Sequence, residues 1–188
     1  MTQGESTVGS SPPSCCSSNE TVGPHLTDKS IYQLETSWTD DSARPIKLRT
    51  LKGRPQIVTM FFSHCNYACP LLVQQMKQIE ERLPKSLIKK VGFVLVSYDT
   101  ERDTPEALLN YRKQHQLSVE RWTLLRGEYD DILELSALLG VRFKKDAAGD
   151  FMHSNVITLL NSEGEIAFQQ TGLKFEADEF IKRLNSAK

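Results

Sequence analysis

The sequence predicts an α/β domain with a central mixed sheet flanked by helices. Three observations carry this. Two short apolar runs, residues 56–62 and 91–97, are rich in β-branched, aromatic and aliphatic side chains, as strands buried on both faces are. Between and after them, apolar residues recur at helical spacing. Near the end, residues 155–160 and 165–170 flank an Asn161-Ser-Glu-Gly164 turn, a strand that returns on itself.

Taken in order, residues 1–29 are poor in apolar side chains and rich in Gly, Ser, Pro and Thr, and read as a flexible tail. Residues 30–188 read as one folded domain, long enough for a sizeable core. Ile31, Gln33 and Glu35 alternate with Tyr32, Leu34 and Thr36, a short strand running toward Trp38. Asp40 and Asp41 mark a turn, so that 45–49 pairs back as an N-terminal β-hairpin. Gly53 and Pro55 punctuate the next turn. After the strand at 56–62, Leu71, Leu72, Met76, Ile79 and Leu83 outline a helix that Pro84 stops. The second buried strand leads to Thr104-Pro105, a helix start in which Thr caps and Pro suits the first turn. Leu108, Leu109 and Tyr111 give that helix its apolar side. Residues 122–125 read as a strand ending at Gly127, and 129–139 as a helix stopped by Gly140. Residues 141–152 are polar and charged around Ala147-Ala-Gly149, and read as a mobile loop after a short extended piece. The hairpin and a helix over 176–186, with Phe180, Ile181 and Leu184 inward, close the chain.

The strand–helix–strand start requires a parallel pair with a right-handed crossover, and the terminal hairpin adds antiparallel strands. This order is that of a thioredoxin-like fold with a peroxiredoxin-type insertion after its second strand. Apolar residues make up 39% and charged residues 25%, an ordinary balance. The net charge of −1 offers no global basic field, so nucleic acid is not an expected partner. Lys77, Arg82, Lys85, Lys89 and Lys90 read as a solvated face. No run approaches the roughly 20 apolar residues of a membrane span. No secretory apolar region is visible either; a chain relieved of its leader or anchor and a cytosolic chain both read this way.

Chemistry concentrates in FFSHCNYACPLL, residues 61–72. Four cysteines occur, all within the first 69 residues and in two close pairs, which is not the spread of a disulfide-stapled domain. Cys15 and Cys16 lie in the tail, where they are incidental thiols or auxiliary soft-metal ligands. Cys65 and Cys69 sit where a central strand hands over to a helix. A helix N-terminus presents free N–H groups and a positive dipole end, which favour thiolate over thiol. If the pair flanks or shares the first turn, a separation of four puts both sulfurs on one face. They then suit a disulfide or a shared soft metal. Thiol–disulfide oxidoreductases of this fold usually place two residues between their cysteines. Here three intervene, Asn66, Tyr67 and Ala68, which widens the pair toward chelation.

Two thiolates leave a metal short of ligands. Of the histidines, His25 lies in the tail, His64 directly precedes Cys65 and converges awkwardly with it, and His115 ends a helix in a charged stretch. His153 begins the strand 155–160, and in this fold the segment entering that strand faces the cysteine loop. Cys65, Cys69 and His153 therefore form a candidate S₂N site, suited to copper and also usable by zinc.

Three segments together resemble the Sco (SenC/PrrC) family of copper chaperones for cytochrome oxidase: the C-x-x-x-C-P stretch from Cys65 to Pro70, Ser97-Tyr-Asp-Thr-Glu-Arg-Asp-Thr-Pro105, and Asp150-Phe-Met-His-Ser154. The likeness covers about residues 30–186. It implies one copper, as Cu(I) or Cu(II), held by Cys65, Cys69 and His153. It also implies delivery of copper to the binuclear-copper subunit of an oxidase, or reduction of that subunit's cysteines. Cys65 and Cys69 would then also form a redox pair, served by a copper donor or a thiol reductant protein. Family members usually sit on the outer face of a membrane, tethered by an N-terminal anchor. The implied location is thus periplasmic or the outer membrane face, ahead of the mitochondrial intermembrane space. Asn66-Tyr67 replace the family's frequent Pro-Asp, and Thr100 follows Asp99 where proline is frequent. Asp99, at the end of the second strand, is expected either to support the site by hydrogen bonding or to shape a turn. Asp103 and Thr104 are expected to start the next helix.

A thiol–disulfide oxidoreductase using Cys65 and Cys69, with His153 a spectator, is the second reading. A peroxiredoxin-like peroxidase ranks lower, because a peroxidatic cysteine needs an activating partner, usually arginine, that the sequence does not offer. A structural zinc domain ranks lower still, since only three ligands converge.

Overall fold

Nine strands, β1 (Trp38–Asp40), β2 (Pro45–Ile46), β3 (Gln56–Phe61), β4 (Gly92–Ser97), β5 (Trp122–Arg126), β6 (Phe143–Lys145), β7 (Phe151–His153), β8 (Val156–Leu160) and β9 (Ile166–Thr171), and four helices, α1 (Ala68–Arg82), α2 (Pro105–His115), α3 (Tyr129–Leu138) and α4 (Ala177–Leu184), make up the computed structural model. It describes residues 1, 26–147 and 149–184. Residues 2–25, with Cys15, Cys16 and His25, and residues 185–188 lie outside that span.

Seven strands form one mixed sheet in the order β2-β1-β5-β4-β3-β8-β9. β3, β4 and β5 run parallel, and β1 and β8 flank them antiparallel. Every residue of β3, β4 and β8 is buried, as their mostly apolar sequences require of strands covered on both faces. Trp122 stacks on Phe93 across β4 and β5 at 4.8 Å. α1 is fastened to β5 through Glu80, which accepts from Trp122 Nε1 at 2.9 Å and pairs with Arg121. The order and layering are those of the thioredoxin-like fold expected from the sequence.

Two stretches depart from expectation. Residues 31–33 form a short 3₁₀ helix rather than a strand. The Ser30 hydroxyl oxygen accepts from Tyr32 N, and Ile31 N donates to Gly164 O, so a local cap and a distant turn outweigh the alternating pattern. The hairpin expected between the strand running toward Trp38 and residues 45–49 is present but shorter: Trp38 and Thr39 pair with Ile46 and Pro45, and residues 48–51 turn into a second 3₁₀ helix. The larger departure is residues 141–152. In place of a loop, β6 and β7 form a two-stranded antiparallel ribbon, with Phe143 opposite His153 and Lys145 opposite Phe151. His153 thus ends this ribbon instead of beginning the strand that follows.

The α2 start matches the sequence reading. Thr104 is the cap, its hydroxyl oxygen accepting from Ala107 N at 3.2 Å, with Pro105 in the first turn.

Candidate metal centre

β3 ends at Phe61, and the chain turns through residues 62–67 before α1 begins at Ala68. Cys65 N donates to Phe62 O at 3.2 Å, which tightens this turn. Tyr67, at the cap position, makes no side-chain cap hydrogen bond. The Cys65 sulfur takes part of that role, accepting from Cys69 N at 3.3 Å. Cys69 therefore sits in the first helical turn and Cys65 just ahead of it, with both sulfurs at the N-terminal end of α1.

The ribbon brings the third group. His153 Nε2 lies 3.7 Å from Cys69 Sγ, and the ligand atoms of Cys65, Cys69 and His153 all lie within 4.8 Å of one another. Two sulfurs each about 2.3 Å from one ion stand at most about 4.6 Å apart, so atoms gathered within 4.8 Å of one another are on the scale of a shared site. His153 Nδ1 is 3.2 Å from Ser154 O. A carbonyl only accepts, so this contact places the ring proton on Nδ1 and leaves the Nε2 lone pair facing the sulfurs. Both thiols are free of disulfide bonding.

Burial sets the protonation of the resting groups. It pushes the fully buried Cys69 thiol well up, against a backbone hydrogen bond from Phe62 that lowers it. Burial also lowers the His153 imidazole, against its backbone contact to Ser154. At neutral pH the cluster thus holds a thiol and a neutral imidazole. A metal held by Cys69 would have to displace its thiol proton.

Aromatic rings hold the ribbon against the cysteine loop. Phe62 meets His153 edge-on at 6.2 Å and Phe151 at 5.3 Å. Tyr98, just past β4, stacks on Phe143 at 5.1 Å and touches His153 at 5.4 Å.

Asp99 is buried, and its carboxylate is engaged by the turn that follows it. It accepts from Glu101 N at 3.2 Å and Arg102 N at 3.1 Å, and pairs with the Arg102 guanidinium. Its link to the site runs through Arg102, which also donates to Gly149 O in the turn of the ribbon. Asp103, expected to help start α2, instead ties the cysteine loop to the sheet. Fully buried, it accepts from Ser63 N at 2.9 Å and from the hydroxyls of Ser63 and Ser97. The sequence reading missed this role. Its only signal was a serine at the end of each of two adjacent buried strands, with an aspartate shortly after the second.

His64 is exposed and turns to Ser63 and Asp103 rather than to the cysteines. His115 packs on the Tyr111 ring at 4.1 Å. Among the described residues, one grouping of metal-capable side chains contains cysteine, that of Cys65, Cys69 and His153.

A model of the SCO1/SenC family matches residues 26–187. A Stutzerimonas stutzeri protein named for copper binding is 29% identical over 143 residues, covering 74% of this chain and 68% of that protein. A SCO1/SenC family lipoprotein from Bacillus anthracis superposes with a TM-score of 0.74 at 23% identity, over 82% of this chain and 94% of that one. ScoI of Bradyrhizobium japonicum, solved with copper bound, superposes with a TM-score of 0.68 at 23% identity, over 81% of this chain and 97% of that one. At such identities the two structures speak for the fold, while the family match spans nearly all of the described residues. The chain belongs to the SCO1/SenC family.

Proposed function

We propose that this chain is a copper-binding metallochaperone whose single copper is held by Cys65, Cys69 and His153. The observation that carries the reading is the convergence of two sulfurs and one imidazole nitrogen within 4.8 Å in a member of this family. Two soft thiolates suit Cu(I), and the added imidazole suits Cu(II). A relative named for copper binding and a structural neighbour solved with copper support the same choice of metal.

The recipient in this reading is a respiratory copper enzyme such as cytochrome c oxidase, through its binuclear-copper subunit. The copper-handling unit spans residues 30–188. It acts in the periplasm or on the outer face of a membrane, in keeping with a lipoprotein among its structural neighbours. Among the described residues no helix is long and apolar enough to cross a membrane. Asp99 supports the site through Arg102.

The test is a copper count on the full chain with Cys15 and Cys16 changed to serine. The protein is reduced without oxygen, given excess Cu(II) and desalted. One copper per chain with an intense sulfur-to-copper band, lost in C65S or C69S, is expected. No retained copper, with rapid conversion of the pair to a disulfide, would overturn this reading. It would favour thiol–disulfide exchange, for which the contact between Cys69 N and the Cys65 sulfur already brings the pair close.

A further inference from the structure

The Tyr98 phenol is buried directly behind Cys69. The residue is 1% exposed, and its ring is held on several sides: by Phe143 at 5.1 Å, Phe151 at 5.0 Å, His153 at 5.4 Å and Phe62 at 5.6 Å. Its hydroxyl reaches Cys69 Sγ at 3.9 Å. A buried phenol O–H ordinarily finds an acceptor, and the Cys69 sulfur is the polar atom within reach, either atom being able to donate in the thiol form. A thiol sulfur accepts weakly, whereas an ionised one accepts a charge-assisted hydrogen bond about twice as strong. The contact is therefore weak in the metal-free thiol and strengthens once Cys69 ligates as thiolate.

We propose that Tyr98 tunes the bound copper by donating its O–H to the Cys69 sulfur, favouring Cu(I) over Cu(II). This rests on the reading of Cys65, Cys69 and His153 as the copper ligands. A hydrogen bond to a ligating sulfur lowers the energy of its lone pairs. The sulfur then gives less electron density to Cu(II), and charge transfer from sulfur to copper needs more energy; hydrogen bonding around a ligating cysteine is a recognised lever on copper potentials. The same ring touches His153, so one side chain both positions the imidazole and polarises a sulfur. For a chaperone, a bias toward Cu(I) keeps the cargo in the state that two thiolates hold without help.

The test is Y98F in the full chain with Cys15 and Cys16 changed to serine. Phenylalanine keeps the ring contacts and removes the hydroxyl alone. After loading with one Cu(II), the sulfur-to-copper band is recorded, and Cu(I) and Cu(II) affinities are measured by competition with chelators. The expected result is a band moved to longer wavelength and a ratio of Cu(I) to Cu(II) affinity lowered about tenfold. An unchanged band and ratio in a folded, fully loaded variant would overturn the proposal and leave the copper site standing. Absence of copper from the Tyr98 parent would overturn the copper reading itself, and this proposal with it. Loss of the fold on removing one hydroxyl would assign Tyr98 to stability and overturn the tuning role.

Discussion

Arg102 Nη2 donates to Gly149 O at 2.7 Å, joining the segment after β4 to the turn of the β6–β7 ribbon. The same guanidinium pairs with Asp99, approaches Asp150 at 3.6 Å, and lies over the rings of Phe62 and Phe151 at 5.7 and 6.0 Å. One side chain thus clamps the ribbon that carries His153 against the loop that carries Cys65. R102K keeps the charge but loses the planar fork. We expect faster amide exchange across residues 143–153 and weaker Cu(II) binding, with Cu(I) binding little changed. Equal loss for both oxidation states would show that Arg102 acts on the cysteines as well.

His153→Ala isolates the imidazole. Cu(I) tolerates two thiolates, whereas Cu(II) gains more from a nitrogen donor. The variant is expected to lose at least tenfold more affinity for Cu(II) than for Cu(I), read by chelator competition on the reduced protein. Parallel losses would mean that the imidazole serves both oxidation states alike and would count against a Cu(II)-specific role.

Asp103→Ala tests the anchor of the cysteine loop. It removes the acceptor of Ser63 N and of the Ser63 and Ser97 hydroxyls in a fully buried position. Each buried donor left without a partner costs roughly 1–3 kcal/mol, so a loss of about 2–4 kcal/mol in urea unfolding is expected. A loss under about 0.5 kcal/mol would mean that water replaces the carboxylate fully.

The metal-free protein should be most stable near neutral pH. Burial lowers the imidazoles of both His153 and His115. Below about pH 6.5 the unfolded chain binds protons that the folded chain does not, so stability falls as pH drops through that value. The Cys69 thiol is shifted the other way, because burial raises it. Above about pH 8.5 the unfolded chain releases a proton that the folded chain keeps, and stability falls again. Melting at pH 5.5, 7.5 and 9.5 should trace this dome. H153Q with H115Q should flatten the acid side, and C69S the alkaline side. An acid limb unchanged in the double histidine variant would assign that limb to carboxylates.

Much of the fold can be read along the chain where local chemistry and burial agree. Residues 56–61 and 92–97 are mostly apolar runs rich in β-branched, aromatic and aliphatic side chains, and both are fully buried strands. Thr104-Pro105 announces a helix, and the helix begins there. Cys65 and Cys69 mark the strand-to-helix junction as the chemical centre, because few other contexts call for two thiols beside a helix N-terminus. His153 stands out among the histidines through its place ahead of a sheet strand.

The ribbon was not legible, and the reason is physical. Residues 141–152 are polar and lack the length of an independent hairpin, which is marginal in water without a face to pack on. That face comes from far away in the chain: Tyr98 receives Phe143 and Phe151, Phe62 receives Phe151, and Arg102 holds Gly149. Asp99 and Asp103 likewise read as turn and cap residues, while packing makes one the partner of Arg102 and the other the anchor of Ser63. Short-range patterns specify the strands, the helices and the pair of thiols, since these depend on neighbours in sequence. The approach of His153 to 3.7 Å of Cys69, and the phenol behind that sulfur, depend on side chains 84 and 29 residues distant. Such contacts form only when the main sheet has set the ends of β3 and β4 side by side and the β6–β7 ribbon has packed against them.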